Sequence, residues 1–273
     1  MSKYKLLAVD IDGTLSVPGQ EIPIEVIESL KKCVKSNILV VLSTGKKFTS
    51  IQALCEQIGI EGPVITCNGS IIVQAGTQKI LFSHYFPKTL YGTIISTLEN
   101  DKRANIAVFT EHDITCTSIN FASKVLNSIG EPTTRFVYSL LSLSSENVAK
   151  ILVAVENSNL LRSVYDFYSH KYAQDCSITI TSDKFVEFMP LNVSKGKALL
   201  NLSKSNGIMK QNIVCIGDSD NDLSMFEVAG LKIAVANATP SVLQAADVVV
   251  PPAYEYGVVK AVNNLILGET NNA

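Results

Sequence analysis

Near its start the chain places two acids directly after an apolar run, in Tyr4-Lys5-Leu6-Leu7-Ala8-Val9-Asp10-Ile11-Asp12-Gly13-Thr14-Leu15. The run from Leu6 to Val9 has no polar alternation, which predicts a strand buried on both faces, as in a parallel sheet. Carboxylates beside the end of such a strand are costly to bury unless a cation or hydrogen bonds compensate their charge. Because ligands bind at the carboxyl ends of parallel strands, Asp10 and Asp12 indicate a binding site rather than a solvated turn.

Two later apolar runs end in polar clusters in the same way. Residues 38–42 are followed by Ser43-Thr44-Gly45-Lys46, and residues 213–216 by Gly217-Asp218-Ser219-Asp220-Asn221-Asp222. Helical patterns separate the early strands, and another strand is predicted at residues 64–66, which gives the order βαβαβ. We predict an α/β fold with a doubly wound parallel sheet, in which right-handed crossovers bring these clusters to one edge.

The pattern of the chain changes after residue 82, where helical segments mix with alternating strands. Such a mixture predicts a separate, mostly antiparallel α+β layer. The parallel pattern returns at residue 190, with a helix that starts at Lys195 and stops at Gly207. We therefore predict a core of residues 1–82 and 190–273, with an inserted α+β cap domain of residues 83–189.

Composition limits the functional classes. Of 273 residues 47% are hydrophobic and 18% charged, and the formal net charge is −2, so nucleic acid is not an expected partner. The sequence shows no signal-peptide pattern and no apolar run near the roughly 18 residues of a membrane span. Six cysteines without a C-x-x-C pair and three isolated histidines favour a reduced cytoplasmic protein over a zinc site or a hydrolytic triad. A monomer or a homodimer without a membrane partner is expected.

The polar clusters indicate a specific chemistry. They offer carboxylates and no soft ligands, which favours a hard cation, above all Mg²⁺. A Mg²⁺ ion held by few carboxylates usually shares a substrate phosphate. The Thr44 hydroxyl, the Lys195 ammonium and the Asn221 amide supply the kinds of donor that a phosphate requires.

Short motifs also follow one another in a particular order along nearly the whole chain. They are Asp10-Ile11-Asp12-Gly13-Thr14-Leu15, Ser43-Thr44-Gly45, Asn68-Gly69, Val193-Ser194-Lys195-Gly196-Lys197-Ala198-Leu199 and Gly217-Asp218-Ser219-Asp220-Asn221-Asp222-Leu223-Ser224-Met225. In this order and at strand ends, they resemble the haloacid dehalogenase-like phosphohydrolases, specifically the Cof-type subfamily. That subfamily carries an α+β cap in the long insertion between Asn68-Gly69 and Lys195.

The resemblance implies roles for the acids. Asp10 would be the nucleophile that forms an aspartyl-phosphate, and Asp12 would protonate the leaving alkoxide and then activate water. Mg²⁺ would be held by Asp10, by the backbone carbonyl of Asp12 and by Asp218, with Asp222 in support.

The resemblance also implies which residues bind phosphate and substrate. The phosphate group would be bound by Thr44, Gly45, Lys195 and Asn221. Lys197 is the alternative lysine, and we prefer Lys195 because the family pattern places that residue at the helix start, where the helix dipole also favours anions. Asn68 is a candidate substrate contact. In the cap no motif guides the choice, and we select Glu187 because it is an acid at the end of the last predicted hairpin before the core resumes.

We expect a Mg²⁺-dependent phosphatase for a small phosphorylated metabolite such as a sugar phosphate. The alternative is a phosphotransferase such as a hexose phosphomutase. A non-catalytic phospho-switch is a third interpretation, but it leaves Asp12 and the large insertion unexplained. The sequence departs from the family at Lys46, because the family usually has Arg after Thr-Gly. The planar guanidinium of Arg donates hydrogen bonds in a fixed arrangement that the lysine ammonium does not reproduce.

Overall fold

The structure, a computed structural model, describes residues 3–268. The predicted core also included residues 1–2 and 269–273, which lie outside the described residues. The chain divides into two compact units after Leu81 and after Ser194. One unit therefore contains the early and late segments of the chain, and the other contains its middle.

Strands and helices alternate in the early and late segments of the chain, whereas several strands follow one another directly in its middle. The strands are β1 Leu6–Val9, β2 Leu39–Leu42, β3 Pro63–Thr66, β4 Ile71–Gln74, β5 Lys79–Ser83, β6 Asn105–Thr110, β7 Ile114–Cys116, β8 Arg135–Phe136, β9 Val148–Ala154, β10 Cys176–Ile180, β11 Phe185–Pro190, β12 Ile213–Gly217, β13 Leu231–Val235 and β14 Val248–Val250. The α-helices are α1 Ile24–Lys35, α2 Phe48–Ile58, α3 Lys88–Leu98, α4 Phe121–Ser128, α5 Leu161–Tyr172, α6 Lys195–Ser205, α7 Leu223–Phe226, α8 Pro240–Ala245 and α9 Gly257–Lys260. Within residues 3–268, no helix combines the length and the apolar character needed to cross a bilayer.

A five-stranded parallel sheet forms the centre of the first unit. Its strand order is β14-β13-β12-β1-β2, so β1 lies between β12 and β2. Every side chain of β1 is fully buried, as its unbroken apolar pattern predicts. The predicted α/β fold class, with a parallel core and an inserted α+β layer, is confirmed.

The third strand departs from a simple βαβαβ sheet. A single parallel bridge between Ser43 and Ile65 joins β3 to the end of β2. Beyond it, β3 pairs antiparallel with β4 in a separate three-stranded sheet that ends with β5. The loop after β3 is thus attached directly to the loop after β2.

A six-stranded sheet forms the centre of the second unit, in the order β10-β11-β9-β6-β7-β8. All of its pairings are antiparallel except that of β7 with β8. Helices α3 and α5 contribute Ile94, Leu98 and Val164 to its apolar core, together with Ile151 and Phe188 from the strands.

The last strand of the second unit extends one residue past 189, the predicted end of the cap, because Pro190 ends β11 and pairs with Cys176. Strands β7 and β8 were not predicted, since runs of three and two residues are too short to show a period of two.

Packing at the start of α6 yields a stability prediction. A Cβ added at Gly196 would overlap the backbone carbonyl of Ser224, whereas one added at Gly92 in α3 would meet nothing within 4 Å. We expect Gly196→Ala to lower the free energy of unfolding by about 1–3 kcal/mol. Gly92→Ala, the matched control, should raise it by about 0.5–1 kcal/mol because alanine favours a helix. Urea unfolding measures both, and equal stability of Gly196→Ala and wild type would contradict the packing argument.

Candidate active site

The polar residues that follow β1, β2 and β12 meet at one edge of the parallel sheet. The sheet hydrogen bonding continues into the first of them, because the Asp10 amide donates to the Ile216 carbonyl at 3.1 Å. The Ser43 amide likewise donates to the Val9 carbonyl at 2.9 Å. The backbone at the start of the first two clusters is thus hydrogen-bonded to a neighbouring strand, which fixes where their side chains begin.

Lys195 lies between two buried carboxylates. Its side chain is 1% exposed, and its Nζ donates to Oδ1 of Asp10 at 2.6 Å and to Oδ1 of Asp222 at 2.7 Å. The other oxygen of Asp222 accepts the backbone amides of Asp218 and Ser219, at 3.0 and 3.1 Å. Both oxygens of Asp222 are therefore engaged with the protein, and Asp222 anchors the lysine.

Asp218 is held by hydroxyl groups on two sides. Thr14 donates to its Oδ1 at 2.8 Å and Ser219 to its Oδ2 at 2.9 Å. Gly13 has a φ of +90°, and a Cβ there would overlap the Asp218 carboxylate. Only glycine adopts this backbone conformation without strain and leaves the space that the carboxylate occupies.

The charges of this cluster do not balance. Burial raises the pKa of Asp10 well above its ordinary value, and the charges of Asp222 and Asp218 add to this, against the effect of Lys195. Burial, with the charge of Asp222, also raises the pKa of Asp218 to about 6. Burial would lower the pKa of Lys195, but the charges of Asp10 and Asp222 outweigh it and raise that pKa. One buried ammonium thus faces three buried carboxylates.

The same three carboxylates fit a hard divalent cation. One oxygen each from Asp10, Asp218 and Asp222 lie within 4.8 Å of one another, and all three residues are buried. An all-oxygen donor set suits Mg²⁺ or Ca²⁺, and a cation would supply positive charge to three carboxylates that have one ammonium among them.

Asp12 lies at the rim of the cluster and pairs with a different cation. Lys46 Nζ donates to its Oδ1 at 2.9 Å, and the two side chains are 15% and 28% exposed. Thr44 is buried, and its hydroxyl accepts the Lys46 amide at 3.1 Å. The predicted residue Gly45 lies between them in the same turn.

An amide pair joins the loop after β3 to the loop after β12. Asn221 Nδ2 donates to Oδ1 of Asn68 at 3.1 Å. Asn68 has a φ of 56° and follows Cys67 with a φ of 49°, so two consecutive non-glycine residues lie in the left-handed region. Such backbone strain is found where the surrounding structure holds a segment in place.

The structure thus brings most of the predicted site residues together. These are Asp10, Asp12, Thr44, Gly45, Asn68, Lys195, Asp218, Asn221 and Asp222. Lys197 is exposed, so of the two lysines it is Lys195 that belongs to the cluster. Glu187 lies in the second unit, where it accepts from Lys150 Nζ at 2.6 Å, with both side chains buried.

Comparison with known proteins now assigns the family. A family model described as haloacid dehalogenase-like hydrolase matches residues 7–262. The chain belongs to the haloacid dehalogenase-like hydrolase family. This confirms the predicted family and enzyme class.

Individual relatives of this hydrolase match over nearly their whole lengths. The 5-amino-6-(5-phospho-D-ribitylamino)uracil phosphatase YwtE of Bacillus subtilis is 29% identical, over 97% of this chain and 99% of its own. The phosphoglycolate phosphatase of Staphylothermus marinus is 26% identical, over 96% and 98%. The solved structure of a haloacid dehalogenase-like hydrolase from B. subtilis superposes with a TM-score of 0.86 at 26% identity, over 96% of this chain and all of that one.

Two residues that support the turn after β1, Asn237 and Thr14, are not among the predicted site residues. Asn237 follows β13, donates from Nδ2 to the Gly13 carbonyl at 2.8 Å and accepts the Ala253 amide at 2.8 Å. It thereby fixes the turn that carries Thr14. Nothing in the short run Ala236-Asn237-Ala238 indicates this contact, whereas Thr14 lies inside the first motif and could have been found there.

The raised pKa of Asp218 predicts a pH-dependent stability of the metal-free hydrolase. A carboxyl with a pKa of about 6 in the folded protein and about 3.8 when unfolded stabilises the fold below pH 4 and loses that contribution as the pH rises through 6. In the presence of a chelator, Asp218→Asn should therefore unfold at a higher temperature than wild type at pH 8. The difference should shrink toward pH 4. A variant that is less stable than wild type at pH 8 would show that the buried charge is already compensated.

Proposed function

We propose that this hydrolase is a Mg²⁺-dependent phosphatase that cleaves a small phosphorylated metabolite, such as a sugar phosphate, through an aspartyl-phosphate on Asp10. The observation that carries the proposal is the position of Asp10 at a sheet edge, with Oδ1 bound to the Lys195 ammonium. Its second oxygen is then the one that attacks phosphorus. Relatives named phosphatases, two of them for phosphoglycolate and a phosphoribityl compound, support phosphate as the transferred group.

The donor set supports Mg²⁺ as the cofactor. Asp10, Asp218 and the backbone carbonyl of Asp12 would hold the ion, with Asp222 orienting Lys195 and the Asp218 turn. When bound, Mg²⁺ supplies positive charge that offsets the buried carboxylates and the substrate phosphate.

The first step is an in-line displacement at phosphorus. A carboxylate oxygen of Asp10 forms the new O–P bond while the bond to the leaving oxygen breaks. Asp12 gives its proton to that oxygen, so that an alcohol leaves. Thr44, the backbone around Gly45, Lys195 and Asn221 stabilise the charge on the transferring group, which is the main task of a phosphoryl-transfer site.

The second step returns Asp10 to its starting state. Asp12, now ionised, takes a proton from water as the water oxygen attacks phosphorus. The bond between phosphorus and the Asp10 oxygen breaks, and inorganic phosphate leaves. Asp12 thus acts as an acid and then as a base, which returns its proton.

The nature of the partner follows from the same chemistry. A small phosphorylated substrate fits the phosphatase proposal, with Asn68 and Glu187 as further contacts. Glu187 is a candidate because it lies on β11, the last strand before the chain returns to the first unit. The cytoplasmic location and the monomeric or homodimeric state stay predictions.

A substitution of the nucleophile tests the proposal. Asp10→Asn should reduce phosphate release to below a few per cent of wild type, because an amide is too weak a nucleophile to attack phosphorus. Acid-quenched wild type incubated with a radiolabelled phosphate ester should carry label on Asp10, and the variant should carry none. Asp220→Asn is the control, since Asp220 is exposed and, among the described residues, its carboxylate accepts only from the hydroxyl groups of Thr239 and Ser241. Label on any other residue would refute the assignment.

Metal binding can be tested without turnover. Titration with Mg²⁺ should raise the unfolding temperature of wild type, because an ion that binds only the folded protein stabilises it by mass action. The shift should be absent in Asp218→Asn and should weaken below pH 6, where Asp218 is protonated. An equal shift in both proteins would place the ion elsewhere.

A further inference from the structure

Lys46 is the one residue of the cluster that the proposed function leaves without a task. It stands where the family pattern usually has Arg, and its ammonium pairs with Asp12. Partly exposed ion pairs of this kind contribute little to stability, because solvent screens them and holding the side chains costs entropy. Stability is therefore a weak reason for this contact.

The backbone of Lys46 is held from both sides. Its amide donates to the Thr44 hydroxyl at 3.1 Å, and its carbonyl accepts the Cys67 amide at 3.0 Å. Thr44 is itself tied to β3, because its amide donates to the Ile65 carbonyl at 2.9 Å. The lysine side chain therefore extends from a fixed point in the turn after β2.

The contact with Asp12 selects between two oxygens. An ammonium has three donors and no acceptor, so Oδ1 of Asp12, which accepts from Lys46 at 2.9 Å, cannot carry a proton directed at the lysine. The lysine does not donate to Oδ2, so Oδ2 is the oxygen that this contact leaves available to a substrate or a water molecule.

We propose that Lys46 is a positioning residue that holds Oδ1 of Asp12 and thereby presents Oδ2 as the oxygen that gives and takes the proton. This inference rests on the proposed function. In the first step the Oδ2 proton passes to the leaving oxygen as its bond to phosphorus breaks. In the second step Oδ2 takes a proton from the attacking water.

Leaving-group dependence tests this role directly. A 4-nitrophenolate leaves without a proton, whereas an alkoxide requires one, so Lys46→Met should barely slow phosphoenzyme formation from 4-nitrophenyl phosphate. With an alkyl phosphate, phosphoenzyme formation should slow by about 10- to 100-fold. This loss is smaller than the full contribution of general acid catalysis, because Asp12 itself is still present. Breakdown of the phosphoenzyme should slow equally for both esters, because it always requires the base. KM should stay within about twofold.

Variants separate positioning from other roles. Lys46→Arg should restore most of the rate, since a guanidinium also donates to Oδ1. Lys31→Met is the matched control, because it removes a 2.7 Å ion pair with Glu28 on α1 and should change neither step. Adding Lys46→Met to Asp12→Ala should cause no further loss, because the group to be positioned is gone.

Other results would contradict the positioning role of Lys46. Three results would show that Lys46 binds phosphate or is only structural: a rise in KM, equal slowing for both esters, or full additivity with Asp12→Ala. Any of them would overturn this inference and leave the proposed function standing. If wild type releases no phosphate from any ester, the proposed function fails, and the inference fails with it. Circular dichroism of each variant checks its fold, and Lys46→Leu repeats the test should Lys46→Met not fold.

Discussion

Three buried carboxylates share one buried ammonium at the carboxyl edge of the parallel sheet, and the surrounding structure is arranged around that imbalance. Burying charge is costly unless each oxygen finds a partner. Lys195, two backbone amides and two hydroxyl groups supply those partners for Asp10, Asp218 and Asp222. Side chains are excluded where they would collide with the carboxylates. A Cβ at Gly217 would lie 2.6 Å from the Asp222 side chain.

The residues of the site fall into a rigid part and a rim. Asp10, Lys195, Asp218 and Asp222 are buried, and strands or backbone amides hold them in place. Asp12 and Lys46 are partly exposed and contact each other. This division suits the proposed chemistry, because charge stabilisation requires preorganised groups, whereas proton transfer requires access to the leaving group and to water.

Much of this arrangement could be predicted from the sequence, because the signals were local. Unbroken apolar runs marked β1, β2 and β12. Polar residues directly after those strands had to meet at one sheet edge, which is why Asp10, Thr44 and Asp218 were found. The family pattern favoured Lys195 over Lys197 because it places the phosphate lysine at the helix start, and the structure buries the first and exposes the second.

What could not be predicted depends on contacts between distant segments. The role of Asp222 as an anchor follows from a turn that directs its Oδ2 toward the amides of Asp218 and Ser219. Asn237 reaches Gly13 across 224 positions of the chain, and the Lys46 contact with Asp12 requires two strand ends to be adjacent.

The central claim is that phosphate passes through Asp10. The stereochemical course at phosphorus tests it most directly, with a phosphorothioate ester made chiral by oxygen isotopes and hydrolysed in isotopically labelled water. Two successive in-line displacements, first by Asp10 and then by water, predict net retention of configuration. Net inversion would mean that water attacks the substrate in a single step, and would contradict the account.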